Sequence, residues 1–223
     1  MKNPLPPVIV NRLALTLVLS GLYLCGCAPT SERLHPQFSD YRRPIGVMLV
    51  LEPEISIFEL LSDGSRLFQE NQSRQAQRHA RDDIVQQLRA RHFAVRTADG
   101  PVMQTDEIMS IRSLFRSVNR SIQLHTFGPQ VYPAKLKAFE YHLGAVAGVL
   151  EANDADALVL ALGHQTGSGQ PLNSWLSIAV VEPEGRVIWY GLQRGRLESQ
   201  LCCADGMTEL VGSTMARFWE QGS

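Results

Sequence analysis

Two unbroken apolar runs constrain this chain most: Ile45–Leu51, "IGVMLVL", and the core of Ala155–His164, "ADALVLALGH". Neither is long enough to cross a bilayer, which takes roughly 20 residues. Neither alternates, as a strand with one wet face would. Runs of this kind belong to strands covered on both faces, so helices must lie on each side of the sheet. The segment between them supplies such helices. Ala76, Ala80, Ile84 and Leu88 recur every four residues, with Val85 beside them and Arg, Gln and Asp opposite, which predicts a helix from Ser73. A second is predicted from Thr105 or Asp106 to about Leu124 on Ile108, Ile111, Phe115, Val118 and Ile122, with His125–Gln130 breaking it. A third is expected to start at Pro133, where a first-turn proline fits, with the stripe Leu136, Phe139, Leu143, Val146 and Leu150.

Three further strand signals complete the pattern. "EISIFELLSDGSRLFQE" is two alternating segments around Ser62-Asp63-Gly64-Ser65, a hairpin signature. "FAVRTA" at Phe93–Ala98 is a short strand, and "SWLSIAVVEPEGRVIWYGLQ" is two strands about Glu184-Gly185. Met207–Trp219 closes the chain as an amphipathic helix. The expected fold is α/β, a mixed β-sheet covered by helices in a single domain over residues 45–223.

The N-terminus reads as a targeting segment. Lys2 and Arg12 precede the apolar stretch Leu13–Leu24, and small residues follow at Gly26 and Ala28. Leu24-Cys25-Gly26-Cys27 resembles the lipobox of bacterial lipoproteins. That resemblance implies a signal peptide over residues 1–26, cleavage before Cys27, and acylation of the Cys27 sulfur. One acyl chain, at about 0.8 kcal/mol per buried methylene, holds marginally, and two or more hold essentially permanently. Ala28 after the cysteine, rather than Asp, implies the outer membrane, periplasmic face, with the inner membrane as the alternative. Residues 27–44 are polar, contain Pro29, Pro36 and Pro44, and are expected to form a flexible tether.

Cleavage removes two of the 21 basic residues and none of the 22 acids, leaving 19 against 22 and a net charge near −3. Nothing in that balance points to nucleic acid. After cleavage only Lys135 and Lys137 remain as lysines, so the cationic surface is arginine.

The order of lipobox, tether, apolar strand, helix, strand, "ADALVLAL", a hairpin ending "GRVIWYG" and a terminal helix resembles the periplasmic lipoprotein domains of the TolB N-terminal and CsgG-like group. That resemblance implies assembly and contact rather than catalysis, and it assigns no functional residue.

Candidate chemistry is sparse. His164-Gln165-Thr166-Gly167-Ser168-Gly169 follows a strand but is neither a nucleophile elbow nor a phosphate loop. The histidines are scattered without metal-ligand spacing, so no metal site, cofactor or catalytic residue is expected. Asp154 and Asp156, and the pairs Glu52/Glu54 and Glu182/Glu184, read as turn and strand-end acids. In an oxidising compartment Cys202 and Cys203 should not persist as thiols, and a vicinal disulfide is the expectation. Arg112, Arg116 and Arg120 stand four apart in one row, a like-charge series needing acids from elsewhere in the fold or an anionic partner. Gly144 and Gly148, with Ala145 and Ala147, admit a close neighbour, either the domain's own sheet or a second protomer.

The reading is a lipid-anchored envelope protein acting non-catalytically, with membrane lipid and an envelope protein or a second copy as partners. The alternatives are a small-ligand or glycan carrier and a hydrolase using the His164 loop.

Overall fold

The computed structural model describes residues 31–98, 105–128, 132–167, 173–195 and 201–218. Strand β6 (Ala157–Thr166) is the axis of an eight-stranded sheet. Its side chains alternate between two cores: Ala157, Val159 and Ala161 on one face, Leu158, Leu160 and Leu162 on the other. This is the doubly covered strand that "ALVLAL" predicts.

Strands β2 (Val47–Val50) and β3 (Glu54–Leu60) run parallel to β6 along the same side, β2 against its first half and β3 against its second. Met48 pairs with Ala157, an offset of 157 − 48 = 109, whereas Glu54 pairs with Leu162, an offset of 162 − 54 = 108. One residue is therefore extra between them, a bulge at 51–53 where Pro53 has no N–H to give the ladder. The bulge reverses parity: even-numbered Met48 and Val50 share a core with odd-numbered Ile55 and Ile57.

Strand β4 (Arg66–Phe68) folds back on β3, with Gly64 at φ +83° in the turn. Helix α2 (Glu70–Arg89) then crosses to β5 (Ala94–Thr97), parallel to β2. Ser73 ties α2 to β3, its hydroxyl accepting from the Ile57 N–H (3.0 Å) and donating to the Gln69 carbonyl (2.8 Å). Ala76, Ala80, Ile84, Val85 and Leu88 are buried as their period predicts.

The return from β5 to β6 runs in the opposite direction along the sheet, which places its helices on the other face. Helix α3 (Asp106–Ile122) is capped by the Thr105 hydroxyl and buries Ile108, Ile111, Phe115, Asn119 and Ile122. His125 does not break it at once. The chain continues as a wider π-helical turn, Gln123–Phe127, before Gly128.

The expected third helix is corrected. Only α4 (Pro133–Lys137) and α5 (Ala147–Ala152) are helical, and 138–146 runs extended beside the β7–β8 turn. Leu143 N–H donates to Gly185 O (2.8 Å), Val146 N–H to Pro183 O (2.9 Å), and Val187 N–H to Tyr141 O (2.9 Å). The stripe residues Phe139, Leu143, Val146 and Leu150 are all buried, but the same stretch also alternates, with Phe139, Tyr141 and Leu143 in and Glu140 and His142 out. Available backbone partners and Gly144 at φ +75° select the period of two. Gly185 (φ +95°) lies so close to Gly144 that a Cβ on Gly185 would sit 1.8 Å from the Gly144 carbonyl oxygen, whereas a Cβ on Gly144 would meet nothing within 4 Å and one on Gly148 would meet the Glu107 carboxylate at 3.0 Å.

Antiparallel strands β7 (Asn173–Val181) and β8 (Val187–Arg194) extend the sheet from β6, and α6 (Ala204–Thr214) joins α2 on its face. A second correction concerns residues 31–44. Ser31–Leu34 is strand β1, antiparallel to β8, and Phe38–Arg42 is helix α1, whose Phe38 is buried. Polar residues suffice for an edge strand because its backbone, not its side chains, meets the ladder. Among the described residues the architecture is a single α/β domain with a mixed sheet of eight strands covered by six helices.

Candidate functional site

Where β1 ends, β8 begins and the 138–146 segment passes between them, three stretches enclose a cleft of about 390 Å³. It is lined by His35, Gln37, Tyr41, Glu140, Tyr141, His142 and Arg186. His35 follows β1, its N–H donating to Ile188 O (3.0 Å), and is 8% exposed. Tyr41 on α1 meets the His35 ring edge-on at 5.2 Å, donates its hydroxyl to Gln37 Oε1 (3.2 Å), and lies beneath the Arg186 guanidinium at 5.3 Å.

Arg186 is oriented from behind. Glu182, 3% exposed, accepts from Arg186 N–H (3.0 Å), Glu184 N–H (3.3 Å) and the Arg186 guanidinium (3.2 Å). A carboxylate so buried requires such partners, and it fixes the cation at the cleft wall. The pair Glu182/Glu184 is thus a turn device.

Both cleft histidines have one nitrogen engaged in the same way. His35 Nδ1 accepts from Gln37 N–H (3.1 Å), and His142 Nδ1 accepts from Gly144 N–H (2.9 Å). A nitrogen that accepts carries no proton, so each ring holds its hydrogen on Nε2 and offers a donor there. Burial holds the His35 pKa below the ordinary imidazole range; Glu140 opposes the shift and Arg186 reinforces it. With Nε2 protonated, neither ring is arranged as a metal ligand, and among the described residues no three His, Cys, Asp or Glu side chains form a metal-binding group.

The residues singled out from sequence fall elsewhere. Cys27 and the lipobox lie outside the described residues. Arg112 and Arg116 close on one carboxylate, Glu54 at the start of β3, at 2.6 and 2.9 Å, while Arg120 is exposed and has no side-chain partner among the described residues. His164 bonds the Thr166 hydroxyl (2.7 Å) between the rings of Phe58 and Trp175, and burial followed by Arg66 lowers its pKa. Asp156 accepts from the Gly46 and Val47 N–H groups (2.8 and 2.7 Å) and so starts β2; Asp154, at φ +44°, pairs with Arg96 at the surface. Cys202 is half-buried with its sulfur 4.0 Å from Gln165 Nε2, and Cys203 is exposed at the start of α6.

Another buried polar cluster lies in the α3 core. Asn119 Oδ1 accepts from the hydroxyls of Ser177 and Tyr190, both at 2.8 Å. No motif marks a cleft residue, because its members come from three separate stretches. The one legible hint is the alternation Phe139-Glu140-Tyr141-His142-Leu143.

Among the described residues no helix is long and apolar enough to cross a membrane. No protein-family model and no curated protein matches the chain. Among solved structures, the C-terminal domain of LpoB from Salmonella enterica is similar over 67% of this chain and 82% of that one, at 13% identity and a TM-score of 0.26.

Proposed function

We propose that the protein is a lipid-anchored component of the bacterial envelope that works by contact rather than catalysis, held at the periplasmic face of the outer membrane through Cys27. Support for the anchor comes from the apolar stretch Leu13–Leu24 running into Leu24-Cys25-Gly26-Cys27. The observation that carries the contact reading is the state of the cleft. Its side chains are two imidazole Nε2 donors, a guanidinium fixed by Glu182, two tyrosines, a glutamine and Glu140, with no serine, threonine or cysteine among them. That is a set for recognising polar groups, with hydrogen-bond donors and a cation held in fixed positions.

The partner is an envelope protein presenting a polar segment to this cleft. A small polar ligand or glycan is the second reading, favoured by a volume within the range of roughly 300–1,000 Å³ usual for ligand sites. A photo-crosslinking residue placed at Gln37 or His142 in growing cells tests the first: discrete adducts to an envelope protein are expected. If neither position yields an adduct while the chain is acylated, the contact reading fails. Palmitate labelling lost in Cys27→Ser supports the anchor, and unchanged labelling refutes it.

A further inference from the structure

Strand β1 begins at Ser31, four residues after Cys27. Four extended residues span at most about 14 Å, whereas a domain of about 190 residues is roughly 40 Å across. An acyl anchor at Cys27, the reading on which this inference rests, therefore holds the domain against the bilayer surface and not above it.

The strand register says which end of the sheet is held there. Ser31 pairs with Leu192, Leu192 with Ser177, and Ser177 with Leu162, from which β6 runs on to Thr166. The same end carries the second half of β3, where Phe58 pairs with Thr166. Beyond that pair the β3–β4 hairpin continues through Leu61, three residues or about 10 Å further. This projection is apolar: Leu60 and Leu61 are 38% exposed, Leu67 50% and Phe68 48%. Isolated exposed leucines are ordinary, but here four large apolar side chains crowd one hairpin tip, Leu60 and Phe68 with Arg66 on one face and Leu67 beside exposed Glu59 on the other. Exposed Arg66 stands among them, and exposed Arg194 ends β8 at the same end of the sheet. The nearest acid of the turn, Asp63, is engaged by the Ser65 N–H (2.8 Å) and hydroxyl (2.6 Å).

We infer that the β3–β4 hairpin dips into the interface of the membrane that carries the anchor, with Leu60, Leu61, Leu67 and Phe68 among the headgroups and Arg66 on lipid phosphate. The apolar tips leave water while the arginine stays at the charged surface. The short leash selects the bilayer as occupant, since it delivers this end of the sheet to lipid with no other partner present. The cleft lies at the opposite end, where β1 finishes and β8 begins, and so faces the aqueous compartment.

The test uses the full acylated chain in phosphatidylethanolamine–phosphatidylglycerol vesicles. A polarity-sensitive fluorophore is attached at Leu61→Cys, or at Glu184→Cys in the β7–β8 turn as control, with Cys202→Ser and Cys203→Ser in both. At position 61 the emission is expected to brighten, shift to the blue and be quenched by spin-labelled lipid, while position 184 stays aqueous. Adding Leu60→Asp and Leu67→Asp should return position 61 to its aqueous signal although the acyl chain still floats the protein with the vesicles. A floating, acylated protein whose position 61 is quenched by iodide as freely as position 184 overturns the hairpin inference alone. A blue shift without lipid that grows with protein concentration overturns it in favour of a second copy. Failure to acylate and float overturns the anchor reading, and the hairpin inference with it.

Discussion

Gly185→Ala tests the junction on which the cleft depends. Gly185 has φ +95°, where an L-residue costs about 1–2 kcal/mol. Its new methyl group would also lie 1.8 Å from Gly144 O and 2.6 Å from Gly144 C, backbone atoms that must retreat by more than 1 Å. That retreat breaks Leu143 N–H to Gly185 O and Val146 N–H to Pro183 O, each contributing about 0.5–1.5 kcal/mol. The sum is about 2–5 kcal/mol. Gly64→Ala is the matched control, because Gly64 has φ +83° but nothing within 4 Å of the added Cβ, leaving about 1–2 kcal/mol. Urea unfolding followed by circular dichroism measures both, with midpoint and slope read separately. Gly185→Ala should fall clearly below Gly64→Ala and also diminish crosslinking from His142. Equal midpoints for the two variants would falsify the packing of 138–146 against the β7–β8 turn.

Asn119→Ala removes the acceptor shared by Ser177 and Tyr190 and should cost about 2–4 kcal/mol in the same assay; Tyr190→Phe, which leaves Asn119 bonded to Ser177, should cost less. Burial raises the Tyr190 phenol above the ordinary tyrosine range, so the folded state holds that proton more tightly. Stability should therefore be full below the ordinary tyrosine pKa of about 10 and fall as pH rises beyond it, and Tyr190→Phe should flatten that decline; an unaltered slope would count against the buried site. Toward acid, the lowered His35 and His164 pKa values mean that the unfolded chain takes up protons first, so urea midpoints should drop as pH falls below about 6.5, less so in His164→Asn. Glu54→Gln leaves Arg112 and Arg116 as unpaired neighbours and should cost about 1–2 kcal/mol, less at high salt because Arg116 is exposed; a variant as stable as the parent would mean that the cluster contributes nothing.

Local pattern in the sequence determined most elements and the class of fold. Ile45–Leu51 and "ALVLAL" are strands because their unbroken apolar character demands cover on both faces, and α2 follows from four-residue spacing that only a helix presents as one stripe. The Asp-Gly and Glu-Gly turns are legible because only particular residues accept a left-handed backbone. Tertiary contact decided the rest. Residues 31–44 carry no apolar period, yet an edge strand needs only a free ladder, which β8 provides. Phe139–Leu143 satisfies two periods at once, and the choice fell to the carbonyls and N–H groups of a turn some 40 residues away. The partner of Arg112 and Arg116 lies 58 and 62 residues earlier on β3, beyond the reach of any helical spacing rule. For the same reason the cleft was invisible: Nδ1 of each histidine is bound locally, but the convergence of His35, Tyr41, His142 and Arg186 exists only once the sheet has brought the start of β8 to its neighbours.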